Sequence, residues 1–101
     1  MKYFIIEGSE KVNPTLGRDA IDALREPHAQ YLRDAVAAGK LLFNGPKVGA
    51  VGGCMLLKAD SYEDAWAFVN GDPYAKAGIR EERIVEVKPV GCQDCVKDWF
   101  E

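Results

Sequence analysis

The sequence predicts an α+β fold whose elements follow the order β-α-β-β-α-β. Three observations support a single folded domain with these elements. The chain has 101 residues, the size of one domain. Four short segments are rich in β-branched, aromatic and other apolar residues, as strands are, and two longer segments repeat apolar residues at helical spacing. Hydrophobic residues make up 48% and charged residues 29%, which is typical of a folded globular protein.

The first strand and the first helical segment occupy the N-terminal part of the chain. Residues 2–7 are predicted as strand one, and residues 8–17 as a loop. Residues 18–38 are predicted to be helical and end before Gly39. We expect Pro27 to interrupt or restart this helix, because proline removes a backbone N–H donor and crowds the preceding turn.

Strand two is predicted for residues 41–44. Side chains alternate between the two faces of a strand, so Leu41 and Phe43 are expected on the same face. The strand is predicted to stop at Gly45 and Pro46, which disfavour a continued ladder.

A hairpin and a second helix follow. The glycine-rich residues 49–53 predict a hairpin connection into strand three, residues 54–58. Asp60 and Ser61 then open the second helix, since short polar side chains cap helix N-termini. This helix is predicted to end at Gly71.

The remaining segments complete the pattern. Residues 72–78 predict a short further turn, and residues 83–88 predict strand four. Right-handed crossovers place both helices on one face of an antiparallel sheet, which is the ferredoxin-like arrangement. The domain is predicted to span residues 1–90, followed by a C-terminal tail of residues 91–101.

The strands carry apolar residues on both faces. In strand one, Tyr3 and Ile5 point to one side and Phe4 and Ile6 to the other. Two helices cover only one face, and an exposed apolar face favours association. We therefore expect a homodimer in which two sheets pack face to face and form a barrel-like core. The alternative is that the tail of residues 91–101 folds over this face.

Composition excludes several classes of partner. The net charge is −3 and no basic stripe is present, so nucleic acid is not an expected partner. The apolar runs fall far short of the ~20 residues needed to span a membrane. Residues 1–7 are interpreted as a strand and not as a signal peptide. Three cysteines, an odd number, favour a reducing, cytoplasmic environment.

The single histidine is the main candidate for chemistry. His28 shares one helical face with Leu24, Tyr31, Leu32 and Ala35, at spacings of i−4, i+3, i+4 and i+7. The imidazole should therefore point inward, where it needs a hydrogen-bond partner. Histidine is the side chain that titrates near neutral pH.

Asp72 is the candidate partner of His28. If both helices lie on one face of the sheet, the middle of the first and the end of the second can meet. A carboxylate beside an inward imidazole forms a general acid/base unit. The structural alternatives are that Asp72 is the N-cap of a helix that begins at Pro73, and that His28 is a satisfied core histidine.

Five further residues are candidates for substrate binding. Arg25 could hold an anionic group, and its alternative role is a surface ion pair. Tyr74 and Tyr31 could offer hydroxyl groups, although aromatic residues at such positions commonly serve packing. Gly45 and Pro46 could shape a pocket wall, and otherwise simply terminate a strand.

No metal or cofactor site is predicted. Cys92 and Cys95 form one Cys-x-x-Cys pair, which is half of a zinc site, and the other candidates, Cys54 and His28, are assigned to the core. The glycine-rich residues 49–53 match neither a phosphate loop nor a dinucleotide fingerprint.

Several short motifs occur in a fixed order between residues 1 and 90. They are Arg25-x-x-His28, Gly39-Lys40-Leu41 before Gly45-Pro46, Ala59-Asp60-Ser61, Asp72-Pro73-Tyr74 and Ala77-Gly78. In this order they resemble the YciI-like (YCII-related) family. The resemblance implies a ferredoxin-like protomer and a homodimer of the dimeric α/β barrel type. It also implies a His–Asp dyad in a pocket, carried here by His28 and Asp72. Ala29 departs from the family pattern, in which a leucine is usual.

The resemblance also implies a class of activity. Members are similar to small cofactor-independent lyases or isomerases that act on hydroxylated or lactone-like organic molecules without a metal. The expected function is therefore general acid/base catalysis by His28 and Asp72 on such a molecule. The alternative is a non-catalytic module that binds a small ligand in the same pocket.

Overall fold

The computed structural model describes residues 1–13 and 15–100. Pro14, in the predicted loop, and Glu101, at the end of the predicted tail, lie outside the described residues. The strands are β1 (Lys2–Glu10), β2 (Leu41–Pro46), β3 (Gly52–Ala59) and β4 (Arg80–Val87). The helices are α1 (Arg18–Ala23), α2 (Arg25–Ala37), α3 (Tyr62–Asn70), α4 (Pro73–Lys76) and a C-terminal 3₁₀ helix, Asp94–Phe100. Within the described ranges, no helix is long and apolar enough to cross a bilayer.

The four strands form one antiparallel sheet in the order β2-β3-β1-β4. This order and the β-α-β-β-α-β succession confirm the predicted α+β, ferredoxin-like fold. Helices pack against one face of the sheet, and Phe4, Ile6 and Leu57 are its most completely buried large side chains. Leu32 of α2 and Val69 of α3 join them in the core, so burial of these apolar groups holds both helices to the sheet.

All four strands are longer than predicted. β2 continues through Gly45 and Pro46, so the predicted stop there was wrong, because β2 is an edge strand, where proline is tolerated. β3 begins at Gly52, within the predicted hairpin connection.

β1 extends to Glu10 instead of residue 7, and β4 begins at Arg80 instead of residue 83. The extensions pair with each other, because Gly8 lies opposite Glu82 and Glu10 lies opposite Arg80. These positions lack the apolar alternation from which strands were predicted, and the cross-strand ladder defines them instead.

The first helical segment is interrupted at Leu24 and not at Pro27. Leu24 ends α1 and is also the N-cap of α2, and the His28 N–H donates to the Leu24 carbonyl at 2.9 Å. Pro27 is thus the third residue of α2, where a backbone N–H has no acceptor within the helix. A proline at this position costs no helical hydrogen bond, so the predicted interruption at Pro27 was wrong.

A β-bulge changes which face β2 presents. Leu41 lies opposite Leu57, but Phe43 lies opposite Leu56, because Leu42 is an extra residue in the ladder. One added residue reverses the alternation of side chains beyond it. Leu41 is therefore in the core, whereas Phe43 lies on the face of the sheet away from the helices, and the prediction that they share a face was wrong.

We call the sheet face away from the helices the open face. Ile5, Phe43 and Val85 project from it and are 44%, 53% and 44% exposed. The chain thus leaves several apolar side chains in contact with water, as the two-sided strand pattern predicted.

The C-terminal 3₁₀ helix covers one end of the open face. The Tyr3 hydroxyl donates a hydrogen bond to the Phe100 carbonyl, and Trp99 donates its indole N–H to the Gly39 carbonyl at 2.9 Å. Lys58, opposite Tyr3 in the sheet, donates to the Trp99 carbonyl at 2.8 Å. The tail therefore covers the end of the face at Tyr3 but leaves Ile5 and Val85 partly exposed.

Candidate functional site

The start of α4 sets the position of Asp72. Asp72 is the N-cap of this helix, and its Oδ1 accepts a hydrogen bond from the Tyr74 N–H at 2.9 Å. Pro73 occupies the first helical position, where its fixed φ suits a helix and its missing N–H is not needed. The local sequence Asp-Pro-Tyr therefore contributes directly to the position of the Asp72 carboxylate.

His28 approaches this carboxylate from α2. Its Nδ1 lies 2.8 Å from both carboxylate oxygens of Asp72, which is 5% exposed. Because a carboxylate is an acceptor, Nδ1 carries the proton in the neutral imidazole and Nε2 keeps its lone pair. The same Asp72 carboxylate caps α4 and contacts His28, so the two interpretations considered from the sequence are compatible.

The two residues lie at a cavity of about 400 Å³ between α2 and the sheet. This volume is within the range of small-ligand pockets, roughly 300–1,000 Å³. Its lining includes His28 and Leu32 from α2, Gly45 and Pro46 from β2, Met55 from β3, and Tyr74 from α4. The cavity therefore combines an apolar wall with the His28–Asp72 contact.

Tyr74 packs flat against the histidine. The His28 and Tyr74 rings are stacked, with centroids 4.0 Å apart and planes inclined by 17°. The guanidinium of Arg80 lies over the same Tyr74 ring, 4.8 Å from its centroid. Stacking and the Asp72 hydrogen bond together restrict the orientation of the imidazole.

Tyr31 has a structural role. Its hydroxyl donates to the Phe68 carbonyl at 2.6 Å and so joins α2 to α3. Burial raises the pKa of Tyr31, and the negative charge of Asp72 raises it further, so the hydroxyl remains a donor. Tyr31 is not among the residues that line the cavity.

Arg25 lies outside the cavity. Its side chain is 77% exposed and its Nη2 is 3.7 Å from a carboxylate oxygen of Asp22. This is the surface ion pair that the sequence left as an alternative. A different arginine of α2, Arg33, borders the cavity and pairs with Glu26 on the surface.

Among the cavity residues that the sequence prediction missed are two charged neighbours on β4, Arg80 and Glu82. They alternate with Glu81 and therefore share one face of the strand, which was the available signal. The signal was lost because strand four was predicted to begin at residue 83.

Arg80 and Glu82 both carry buried polar atoms that are unusual. Across residues 1–13 and 15–100, Arg80 Nη1 and Glu82 Oε2 have no hydrogen-bond partner. Burial raises the pKa of Glu82, and the negative charge of Asp72 raises it further, against the opposing effect of the Arg80 guanidinium. Such unsatisfied groups are rare in folded proteins and call for a specific explanation.

The three cysteines differ in location and exposure. Cys54 borders the cavity, while Cys92 and Cys95 are exposed in the tail. In the described part of the chain, no group of three or more histidine, cysteine or acidic side chains is arranged to hold a metal ion.

Comparison with known proteins agrees with the fold. One solved structure similar to this chain is the 5-chloro-2-hydroxyhydroquinone dehydrochlorinase of Burkholderia phenoliruptrix AC1100, in complex with 2,5-dihydroxybenzoquinone. The two are 26% identical with a TM-score of 0.66, and the match covers 85% of this chain and 93% of the other. A search of curated proteins gave no significant match. The family model of the YCII-related domain matches residues 1–89, and the chain therefore belongs to the YCII-related family.

Proposed function

We propose that this protein is a small-molecule lyase that uses His28 and Asp72 for general acid/base chemistry. The observation that carries the proposal is the contact of 2.8 Å between His28 Nδ1 and the buried Asp72 carboxylate at the edge of a cavity. A histidine held in this way keeps Nε2 as a base and gains stabilisation when it becomes protonated. Proton transfer of this kind contributes about 10²–10⁴-fold to a rate.

The proposed reaction is an elimination from a hydroxylated ring. His28 Nε2 takes a hydroxyl proton from the substrate, and the electron pair of the O–H bond forms a carbonyl. The imidazolium returns this proton to the ring carbon that bears the leaving group, so that the ring electrons form a new C–H bond and this carbon becomes tetrahedral. Nε2 then takes a second hydroxyl proton, the electron pair of that O–H bond forms a second carbonyl, and the ring electrons expel the leaving group together with its bonding pair. The imidazolium afterwards releases its proton, so that the sum of the steps is loss of an acid HX. Asp72 stays ionised throughout and stabilises the imidazolium.

The substrate class follows from the cavity and from the related enzyme. The cavity of about 400 Å³ accommodates a single substituted ring with an apolar side against Leu32 and Met55. The similar dehydrochlorinase acts on a chlorinated hydroxyhydroquinone. We therefore propose small polyhydroxylated rings with a leaving group as substrates. Isomerisation of a lactone-like ring would use the same base and is the related possibility within this class.

Chloride release from 5-chloro-2-hydroxyhydroquinone tests the proposal directly. The wild-type chain should release chloride in step with quinone absorbance, and His28→Gln should reduce the rate by at least about a hundredfold. Gln30→Ala, an exposed change on the same helix, is the matched control and should retain the rate. If wild type and His28→Gln have equal rates, the assignment of His28 is wrong. If the wild-type chain binds such rings without turning any over, the non-catalytic binding module is the better description.

We also propose a homodimer in which two open faces form a barrel-like core. Ile5, Phe43 and Val85 would then be buried, at a gain of about 25 cal/mol per Å² of apolar surface. Sedimentation at micromolar concentration should give about twice the 11.1 kDa mass of one chain. Phe43→Lys should produce a monomer, whereas Val36→Lys, an equally accessible change on α2, should not. A wild-type monomer would refute the dimer.

We propose a cytoplasmic location for this enzyme. Cys54, Cys92 and Cys95 are unpaired in the described structure, as expected of a protein in a reducing compartment. Fractionation of the source cells tests this proposal, and recovery of the protein outside the cytoplasm would refute it.

A further inference from the structure

The cavity contains a second polar pair that the proposed acid/base step does not use. Arg80 and Glu82 both line it from β4. Arg80 Nη1 is a donor without an acceptor, and Glu82 Oε2 is an acceptor without a donor, among the residues the structure describes. Although they lie two residues apart on the same face of β4, no ion pair joins them in this part of the chain.

The fold makes specific room for the Glu82 carboxylate. Gly8 lies directly opposite Glu82 in the sheet. A Cβ at residue 8 would come within 2.7 Å of Glu82 Oε2. The absence of a side chain at Gly8 therefore lets the carboxylate lie over β1 and reach the cavity.

The Arg80 guanidinium is held in position by an aromatic ring. It lies 4.8 Å from the centroid of Tyr74, whose ring in turn stacks on His28 at 4.0 Å. Arg80, which carries the unpaired donor, and the His28 imidazole thus both contact the Tyr74 ring. A ligand that binds Arg80 would consequently lie close to His28.

Leaving these two atoms unpaired is costly in the absence of a ligand. A buried polar group without a partner destabilises a fold, and more so when the group is charged. A ligand with an acceptor for Arg80 and a hydroxyl for Glu82 would remove both penalties at once. Burial also raises the pKa of Glu82, which increases the fraction that can itself donate a hydrogen bond.

We propose that Arg80 and Glu82 form the substrate-recognition pair of this cavity and select a ring with at least two oxygen substituents. Arg80 Nη1 would bind a carbonyl or phenolate oxygen, and Glu82 would bind a hydroxyl group. The pair would hold the ring while His28 acts on it. The proposal rests on the proposed function for the identity of the ring as substrate, whereas binding itself does not require turnover.

Binding of 2,5-dihydroxybenzoquinone and of phenol by the whole chain, measured by calorimetry, tests this pair. The first probe has four oxygen substituents and the second has one. Wild type should bind 2,5-dihydroxybenzoquinone at least tenfold more tightly than phenol. Glu82→Met keeps the length of the side chain, and Arg80→Met keeps an unbranched apolar stem without the guanidinium. Each should weaken binding of the first probe at least tenfold, with little effect on phenol.

The neighbouring positions on β4 provide matched controls. Arg83→Met and Glu81→Met make the same chemical changes on the open face and should leave both affinities unchanged. Arg80→Lys serves as a second variant if Arg80→Met does not fold, and it should retain part of the affinity because it keeps the charge.

The outcomes separate this proposal from the proposed function. Equal affinities of wild type, Arg80→Met and Glu82→Met for 2,5-dihydroxybenzoquinone would overturn the recognition pair and leave the role of His28 untouched. Wild type without preference for the oxygen-rich ring would overturn it as well. If the preference depends on Arg80 and Glu82 while the wild-type chain turns over no ring, the recognition pair stands and the lyase activity does not.

Discussion

Substitution of Asp72 separates its structural role from its role toward His28. Asp72→Ala removes the cap of α4, which costs about 1 kcal/mol. It also leaves the partly buried His28 without the hydrogen-bond partner of its Nδ1, which costs a further ~1–3 kcal/mol. The free energy of unfolding should therefore fall by roughly 2–4 kcal/mol, the sum of these two contributions.

Asp72→Asn should affect stability and activity differently. The amide oxygen can still cap α4, and asparagine caps helices as well as aspartate does. The amide NH₂, however, would donate to Nδ1 and place the imidazole proton on Nε2, where it blocks the base. We expect a loss of stability below about 1 kcal/mol but a loss of rate of about 10²–10⁴-fold.

Urea denaturation and the chloride-release assay measure these two effects on the same samples. Asp60→Ala, an exposed aspartate before α3, is the control and should change neither quantity. The reasoning is refuted if Asp72→Asn retains the wild-type rate. It is also refuted if Asp72→Ala is no less stable than Asp72→Asn, since the cap and the His28 contact would then contribute nothing.

Three further changes test the fold and its charges. Because burial raises the pKa of Glu82, the folded chain favours the protonated form of this carboxyl group. The stability that this preference contributes is fully present at acid pH and is lost as the pH rises through the raised pKa. Glu82→Gln should therefore melt at a higher temperature than wild type at pH 7 and at the same temperature below pH 4; an equal difference at both pH values would contradict this. Gly52→Ala should cost at least about 2 kcal/mol, because φ is +130° and a Cβ would overlap the carbonyl oxygen of the facing strand, whereas Gly45→Ala has open space and should be nearly neutral in thermal melts. Ser61→Ala should lower the free energy of unfolding in urea by about 1 kcal/mol, since the Asp64 N–H loses its 3.0 Å acceptor. Ser61→Asn should keep the wild-type stability, because asparagine also caps helices.

The local rules of helix initiation located much of the candidate site. The spacing of His28 with Leu32 and Ala35 predicted the inward face of α2, and both of those neighbours are buried. Ser61 caps α3 as predicted, and Asp72 begins α4. Each of these features depends on residues within about one helical turn, which is the range over which capping and periodicity act.

The open face was also visible in the sequence, but what covers it was not. Alternation along β1 predicted that Ile5 and Ile6 would lie on opposite faces, and the structure places Ile5 on the open face. The tail of residues 91–101 was the predicted alternative to a second copy, but the pattern did not decide between them. The contacts of Trp99 and Phe100 with Tyr3 join residues almost a whole chain length apart. A second copy of the chain stays a prediction for the remainder of the face.

The sequence by itself determined the order of the elements and the orientation of His28, since both arise from short-range periodicity and turn chemistry. Only the tertiary structure decided the bulge at Leu42, the extension of β4 to Arg80, and the entry of Glu82 into the cavity. Strand register and burial depend on which segments pair, and pairing is a property of distant residues in contact. A charged residue such as Glu82 resembles any surface carboxylate in a sequence, and it becomes a candidate for chemistry only once its strand and the facing Gly8 enclose it.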